Sequence, residues 1–293
     1  MTTSETGSAT SWVAVRGTRL RVRLDGNPAS PTVLLLHGIG RSLEDWSEQQ
    51  RLLSHDHHLV SVDLPGFGLS EPLAGPATLP ALAAAVLDVL DAVGHGQPVH
   101  VVGNSLGGAV ALQLLALRPE RVASLTLANS AGFGSDVALA LRLLAVPGLG
   151  RQLLRRSTHS TAARTERSLF VDASLVTDAR LDHARRLAQQ PHGSRVFLET
   201  ARHLGTFRGI RPGWRSELLD AVAAHPRPTL VVWGERDLIL PAHHLGTART
   251  HLPHARFHTF ADTGHMPQIE RAEEFADLLR DLVRSAGAGS GTP

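Results

Sequence analysis

The sequence predicts an α/β fold: a mostly parallel central sheet flanked by helices, with a helical cap inserted into it. Three observations carry this. Short apolar runs such as TVLLLHG (32–38), HLVSVDLPG (58–66) and TLVVWGE (229–235) alternate with helix-patterned segments. Several of these runs are apolar on both faces, as strands covered by helices on both sides must be. The alternation stops between about Gly132 and Trp214, where only helical patterns occur.

Taken in order, WVAVRGTRLRVRL (12–24) alternates apolar and polar residues around Gly17 and predicts a hairpin. Strand 32–38 ends in Gly. SLEDWSEQQRLLS (42–54) opens with Ser42 and Asp45 in capping-box spacing. Strand 58–66 closes on Pro-Gly. TLPALAAAVLDVLDAVG (78–94) is a helix with Pro80 in its first turn and Gly94 at its end. VHVVGNSLGGAVALQLLAL (99–117) passes from strand through a glycine turn into helix, and RVASLTLANS (121–130) is a strand. The inserted segment holds helical pieces at 137–146, 151–157, 178–190 and 194–205. Strands at 229–235 and 255–262 and an amphipathic helix at 271–286 complete the chain. The expected division is a polar tail over 1–11, a core over 12–132 and 213–285, a cap or lid over 133–212, and a tail over 286–293.

Composition excludes several classes. The 293 residues are 42% hydrophobic and 19% charged, which suits a globular protein with a sizeable core. The isoelectric point near 10.6 suggests nucleic-acid binding only at first sight. The sequence has no Lys, Tyr or Cys, so few groups titrate between His and Arg, and the formal net charge is only +2. The arginines are scattered rather than blocked, so no nucleic-acid partner is expected. Without Cys there is neither a thiolate nucleophile nor a Cys-based zinc site. The N-terminal segment lacks a basic and an apolar signal region. No apolar run nears the ~18 residues that span a bilayer, so no stable membrane insertion and a cytoplasmic protein are expected. VALALRLLAVPGLG (137–150) is read as a lid packed on its own core rather than a lipid contact.

Gly103-Asn104-Ser105-Leu106-Gly107 matches G-x-S-x-G between a predicted strand and a predicted helix, the context that motif requires. The glycines permit a turn too tight for neighbouring side chains. Ser105 is therefore the candidate nucleophile. Its partners should follow at the ends of later strands. Asp237 in WGERDLILP and His265 in ADTGHMPQIE stand in that order. Asp262 follows its strand too closely to reach back, and Asn129, at the end of strand 121–130, has no carboxylate to offer. The backbone N–H groups of Ile39, in the glycine-flanked 37–40 loop, and Leu106 are the candidate oxyanion donors. Gly38, Asn104 and Met266 are expected to border the substrate, and His37 to be structural. No metal and no cofactor is expected.

HGIG (37–40), DLPGFGLS (63–70), GNSLGG (103–108), GERD (234–237) and DTGHMPQIE (262–270) together resemble the α/β-hydrolase superfamily, over nearly all of the chain outside the cap and tails. The resemblance implies a Ser-His-Asp hydrolase working through an acyl-enzyme, most simply on a carboxylic ester. Serine at position 105 argues against the dehalogenase and epoxide hydrolase branches, which carry Asp there. GNSLGGA is similar to the motif of meta-cleavage product hydrolases, which split carbon–carbon bonds; their usual Trp after the histidine is Met266 here. A cap arginine such as Arg185 or Arg186 would then hold a substrate carboxylate. Perhydrolysis and lactone opening use the same triad, and a ligand-sensing protein of this fold is the non-enzyme alternative. A cap rich in Leu, Ala and Val, with Phe170, Phe197 and Phe207, implies an apolar acyl or ring-bearing small-molecule substrate. A homodimer is compatible with the sequence.

Overall fold

The computed structural model describes residues 9–156 and 159–289. Ten strands are present in it: β1 (Ala9–Val15), β2 (Thr18–Asp25), β3 (Thr32–Leu36), β4 (His58–Val62), β5 (Val99–Asn104), β6 (Val122–Ala128), β7 (Gly205–Thr206), β8 (Gly209–Ile210), β9 (Thr229–Gly234) and β10 (Arg256–Phe260). The α-helices are α1 (Ser47–Leu53), α2 (Leu79–Ala92), α3 (Leu106–Leu117), α4 (Leu139–Leu144), α5 (Leu149–Arg155), α6 (His159–Arg167), α7 (Asp178–Ala188), α8 (Gly193–Leu204), α9 (Pro212–Ala223), α10 (His244–His251), α11 (Pro267–Glu270) and α12 (Ala272–Gly289).

Eight strands form one sheet in the order β1-β2-β4-β3-β5-β6-β9-β10. The β1–β2 and β2–β4 pairs are antiparallel and every other pair is parallel. Alternate residues face opposite layers, as the two-residue period of a strand requires. Leu34, Leu36 and Val101 enter the layer shared with α2, α3 and α9, whereas Val33, Leu35 and Val102 enter the layer shared with α1 and α12. Both faces are thereby sealed, and all parallel strands deliver their carboxyl ends to one edge. The strand order reverses between β3 and β5 at that edge, where such sheets open a crevice for ligands.

Some expectations need correction. The polar tails are shorter than expected. Strand β1 already starts at Ala9, because residues 9–15 ladder onto β2 from Leu24 to Thr18. Helix α12 runs to Gly289, past the expected end at 286. Residues 1–8 and 290–293 lie outside the described residues. The Ser42 capping box does not form: Leu43–Trp46 is a 3-10 turn whose Ser42 side chain makes no cap bond. Ser42 Oγ instead meets His183 Nε2 at 2.8 Å, and Asp45 is taken by Arg41. Between β6 and β9 the chain also holds α6, and the small antiparallel β7–β8 pair where no strand is predicted. The turn between them is Phe207–Arg208, and Gly209, which opens β8, takes φ +110°, a value open to glycine.

Helices α4 to α8 contact one another and rest on the core loops. Val196 and Phe197 of α8 occupy the space that a side chain at Gly66 or Gly40 would need. Helix α9 packs on α3.

Candidate active site

Ser105 follows β5 directly and stands immediately before α3, at φ +55° and ψ −114°. A non-glycine residue in that region costs about 1–3 kcal/mol and persists only where its surroundings enforce it. Here they do. Ser105 N–H donates to Ala128 O at 3.0 Å, and Ser105 O accepts from Gly108, Ala109 and Ala131 N–H groups. A Cβ on Gly103 would overlap the Gly107 carbonyl, and one on Gly107 the Leu36 carbonyl. The two motif glycines are thus required by the contact of α3 with its own turn and with β3. Gly38 faces the same turn: a Cβ there would stand 3.3 Å from Ser105 Cβ.

Asp237 and His265 come from loops after β9 and β10. His265 Nδ1 lies 2.8 Å from Asp237 Oδ2, and both residues are buried. Asp237 Oδ1 accepts N–H bonds from Ile239 (2.7 Å) and Leu240 (3.0 Å). Asn129 Nδ2 donates to Oδ2 at 2.6 Å. With both oxygens engaged, the carboxylate has one orientation. Nδ1 of His265 is committed to it, which leaves Nε2 for proton transfer. Among the described residues no hydrogen bond joins Ser105 Oγ to His265 Nε2; such a bond often tightens only when substrate binds.

The His265 loop is held from three sides. Asn104 Nδ2 donates to His265 O at 3.0 Å and to Ala128 O at 3.1 Å. His265 N–H donates to Leu169 O at 2.8 Å. Glu270 Oε2 accepts from Gly264 N–H at 2.6 Å, while its Oε1 accepts from Val171 (2.7 Å) and Asp172 (2.8 Å). Glu270 therefore links the histidine loop to the segment between α6 and α7.

Ile39, Ser105 and Leu106 line one small, apolar cavity. Ala131, Ile239 and Leu240 complete its core side, and Val137, Leu141, Ala145, Ala201 and Leu204 its inserted side. The Ile39 and Leu106 N–H groups donate to no backbone carbonyl among the described residues, and Leu106 is the first residue of α3, where helix N–H groups lack partners. Arg142 is the one charged side chain of the lining, with its Nε donating to Phe207 O at 2.7 Å.

Three expected substrate contacts, and the two arginines named as examples for the carbon–carbon reading, are placed as follows. Asn104 is buried as a strut under His265. Gly38 backs Ser105 but is not part of the cavity lining. Met266 is buried against Leu169 and Phe170 and is not part of the cavity lining, although Ile239 packs on its cluster and lines the cavity. Arg185 pairs with Asp182 on the surface of α7, and Arg186 lies 3.5 Å from His183 there. Phe207 is half exposed. His37 is structural: Nδ1–H donates to Gly38 O (2.7 Å), Nε2 accepts from Leu64 N–H (3.0 Å), and burial pushes its pKa down, so the ring stays neutral.

Sequence reasoning missed Asn129, Glu270 and Arg142. Asn129 carried a signal, its place at the end of β6 beside β9. Arg41, next to the Ile39 loop, also went unnoticed. It forms a bidentate pair with Asp45 and an ion pair with buried Glu166 of α6. Burial opposes the guanidinium, but the two carboxylates outweigh it and raise its pKa.

A family model described as alpha/beta hydrolase fold matches residues 31–272. The chain belongs to the alpha/beta hydrolase fold family. This α/β-hydrolase is 35% identical over 280 residues to the dihydrolipoyllysine-residue acetyltransferase component of the acetoin cleaving system of Cupriavidus necator, covering 94% of this chain and 69% of that one. It is 30% identical over 299 residues to the 2-hydroxy-6-oxononadienedioate/2-hydroxy-6-oxononatrienedioate hydrolase of Paraburkholderia phymatum, covering 96% and 98%. Its fold matches the 2-hydroxy-6-oxo-6-phenylhexa-2,4-dienoate hydrolase of a Rhodococcus species at TM-score 0.79 and 24% identity, over 95% and 99% of the two chains. It is an enzyme of the hydrolase type. Among the described residues no helix is long and apolar enough to cross a membrane.

Proposed function

We propose that this α/β-hydrolase cleaves a carboxylic ester or similar acyl substrate through an acyl-enzyme on Ser105. The observation that carries the reading is Ser105 held at φ +55° on the wall of an apolar cavity, with a buried His265–Asp237 pair 2.8 Å apart at the same sheet edge. His265 Nε2 takes the Ser105 proton as Oγ attacks the carbonyl carbon. Asp237 keeps Nδ1 protonated and stabilises the imidazolium. The Ile39 and Leu106 N–H groups, with the amino end of α3, receive the oxyanion. The imidazolium then protonates the leaving group, and His265 activates water to release the acid. The mechanism needs no metal or organic cofactor. Helices α4 to α8 serve as the cap: α4 and α8 line the cavity opposite the core loops, which carry the reacting groups.

A carbon–carbon hydrolase is the second reading. It is favoured by the Paraburkholderia relative and by Arg142, a cation in the cavity lining suited to a substrate carboxylate. A panel of p-nitrophenyl esters from acetate to decanoate, with one dienoate ring-cleavage product, tests both readings. Ester turnover should fall by several orders of magnitude in Ser105→Ala. Unchanged turnover in that variant would overturn the mechanism. Much faster dienoate cleavage would move the enzyme to the carbon–carbon class.

A further inference from the structure

A second cluster of ligating side chains lies where the inserted segment leaves the core. Asp136 stands in the connection after β6. His243 and His244 stand at the start of α10, after the loop that carries Asp237. One carboxylate oxygen of Asp136 and one ring nitrogen from each histidine lie within 4.8 Å of one another. His243 Nε2 is 2.9 Å from Asp136 Oδ2. His244 is 1% exposed, and among the described residues neither of its ring nitrogens has a hydrogen-bond partner.

A buried ring nitrogen without a partner costs about 1–3 kcal/mol, and such groups rarely go unused. The packing around the ring is close: a Cβ on Gly134 would overlap it, and the Trp233 indole meets it edge-on with centroids 6.0 Å apart. The imidazole is thereby held in one orientation beside an exposed carboxylate and an exposed second imidazole. Burial, and then the neighbouring His243, lower the His244 pKa to about 4. The ring is neutral at pH 7, the form in which imidazole binds a metal.

We propose that Asp136, His243 and His244 form a binding site for a borderline divalent transition ion of the zinc class, distinct from the Ser105 cavity. Two imidazoles and one carboxylate are a donor set for that class, whereas magnesium and calcium demand oxygen. With bonds of about 2.0–2.1 Å, neighbouring ligand atoms on a tetrahedral ion stand roughly 3.3 Å apart. The 2.9 Å pair must open slightly, and the exposed Asp136 and His243 side chains must approach the fixed His244 nitrogen, from at most 4.8 Å, by up to about 1.5 Å. The exposed side of Asp136 and His243 gives the ion entry and leaves the fourth position to water. The amino end of α10 and the Arg215 guanidinium, which lies near enough to bear on both Asp136 and His244, oppose the cation. The site is therefore weaker than a closed structural zinc site and responds to metal concentration.

Its location gives the ion a consequence. Asp136 precedes Val137, and α10 follows Ile239 and Leu240; all three line the Ser105 cavity. Ala138 N–H already donates to Ile239 O at 2.9 Å. A bound ion would tie these two cavity walls together a second time. The inference is independent of which bond the enzyme cleaves.

The test is calorimetric titration of the tag-free, chelator-treated protein with zinc chloride near pH 7.5, together with thermal unfolding with and without the ion. One saturable site and a rise in Tm of several degrees are expected, with no comparable response to magnesium. Asp136→Ala and His243→Ala alter exposed residues, so both variants should fold. Each should weaken zinc binding at least tenfold and remove the Tm rise. Absence of a saturable zinc site would overturn the proposal. So would a binding curve left unchanged by both substitutions, which would assign the zinc to others of the 17 histidines. Equal binding of magnesium would also overturn it, because imidazole ligation would then not explain the site.

Discussion

Replacing Glu270 by Ala tests whether the histidine of the reaction depends on the inserted segment. The carboxylate accepts three backbone N–H bonds: Gly264 at 2.6 Å, Val171 at 2.7 Å and Asp172 at 2.8 Å. Hydrogen bonds to a charged group contribute about 1.5–3 kcal/mol each. Asp172 is exposed and Gly264 is buried, so water restores the first of these bonds in the variant and not the Gly264 one. The net loss is then roughly 2–4 kcal/mol, or several degrees in Tm. Gly264 adjoins His265, whose own N–H is bound to Leu169 O in the segment that Glu270 also grips. Releasing both sides lets the imidazole move. A displacement of about 1 Å can cost a factor near 10² in rate. The expected outcome is a 10- to 100-fold fall in kcat with KM changed less than threefold, measured with a p-nitrophenyl ester well below the Tm of the variant. Glu270→Gln should recover part of the rate, because one oxygen can still serve Val171 and Asp172. A folded Glu270→Ala enzyme with kcat within twofold of the parent would refute the reasoning. A role confined to stability lowers Tm and leaves kcat alone.

Three further outcomes follow from the same structure. His100 is held at a pKa of about 4, first by burial and then by His57, against about 6.5 in an unfolded chain. Because the folded value is depressed, its contribution is complete above pH 6.5 and is lost as pH falls toward 4. Stability should drop by roughly 2 kcal/mol between pH 7 and pH 5 from this residue alone; a Tm that stays flat over that range, measured by differential scanning fluorimetry, contradicts it. Gly107→Ala drives a methyl into the Leu36 carbonyl and should cost at least 1–3 kcal/mol, visible as lost soluble yield or a lowered urea midpoint. Arg142→Ala should cut kcat/KM at least tenfold for a carboxylate-bearing dienoate and leave neutral esters within threefold; equal effects on both would remove Arg142 from substrate recognition.

The sheet and the nucleophile turn were legible because their causes are local. Strands β3, β4 and β9 are apolar on both faces, and the turn at Ser105 is written in adjacent glycines. Asp237 and His265 were legible by rule, since each follows the end of a parallel strand and those ends meet at one edge. What escaped depends on contacts across long stretches of chain. Asn129 reaches Asp237 over 108 positions and Glu270 reaches Val171 over 99, distances at which no periodicity speaks. Helix α6, HSTAARTER, is too polar to show an apolar stripe, and it is fixed instead by the Glu166–Arg41 pair. The capping box at Ser42 failed through one local and one distant competitor. Its spacing is right, but Asp45 and Ser42 have stronger partners in Arg41 and His183.

The cavity divides the labour of the enzyme along the same line. The side proposed to react is formed by Ile39, Ser105 and Leu106, all within three residues of the ends of strands β3 and β5. Those loops cannot shift without disturbing the ladder that orders them, so the chemistry is constrained by the fold. The opposite wall, Leu141, Ala145, Ala201 and Leu204, belongs to short helices that touch mainly one another. Side chains there can change size without touching the sheet. In the proposed mechanism, reaction type is therefore anchored in the strand ends, and substrate choice in the insertion. The bonds that bind the two together, Arg41 with Glu166 and Glu270 with residues 171–172, decide how far a change in one half is felt in the other.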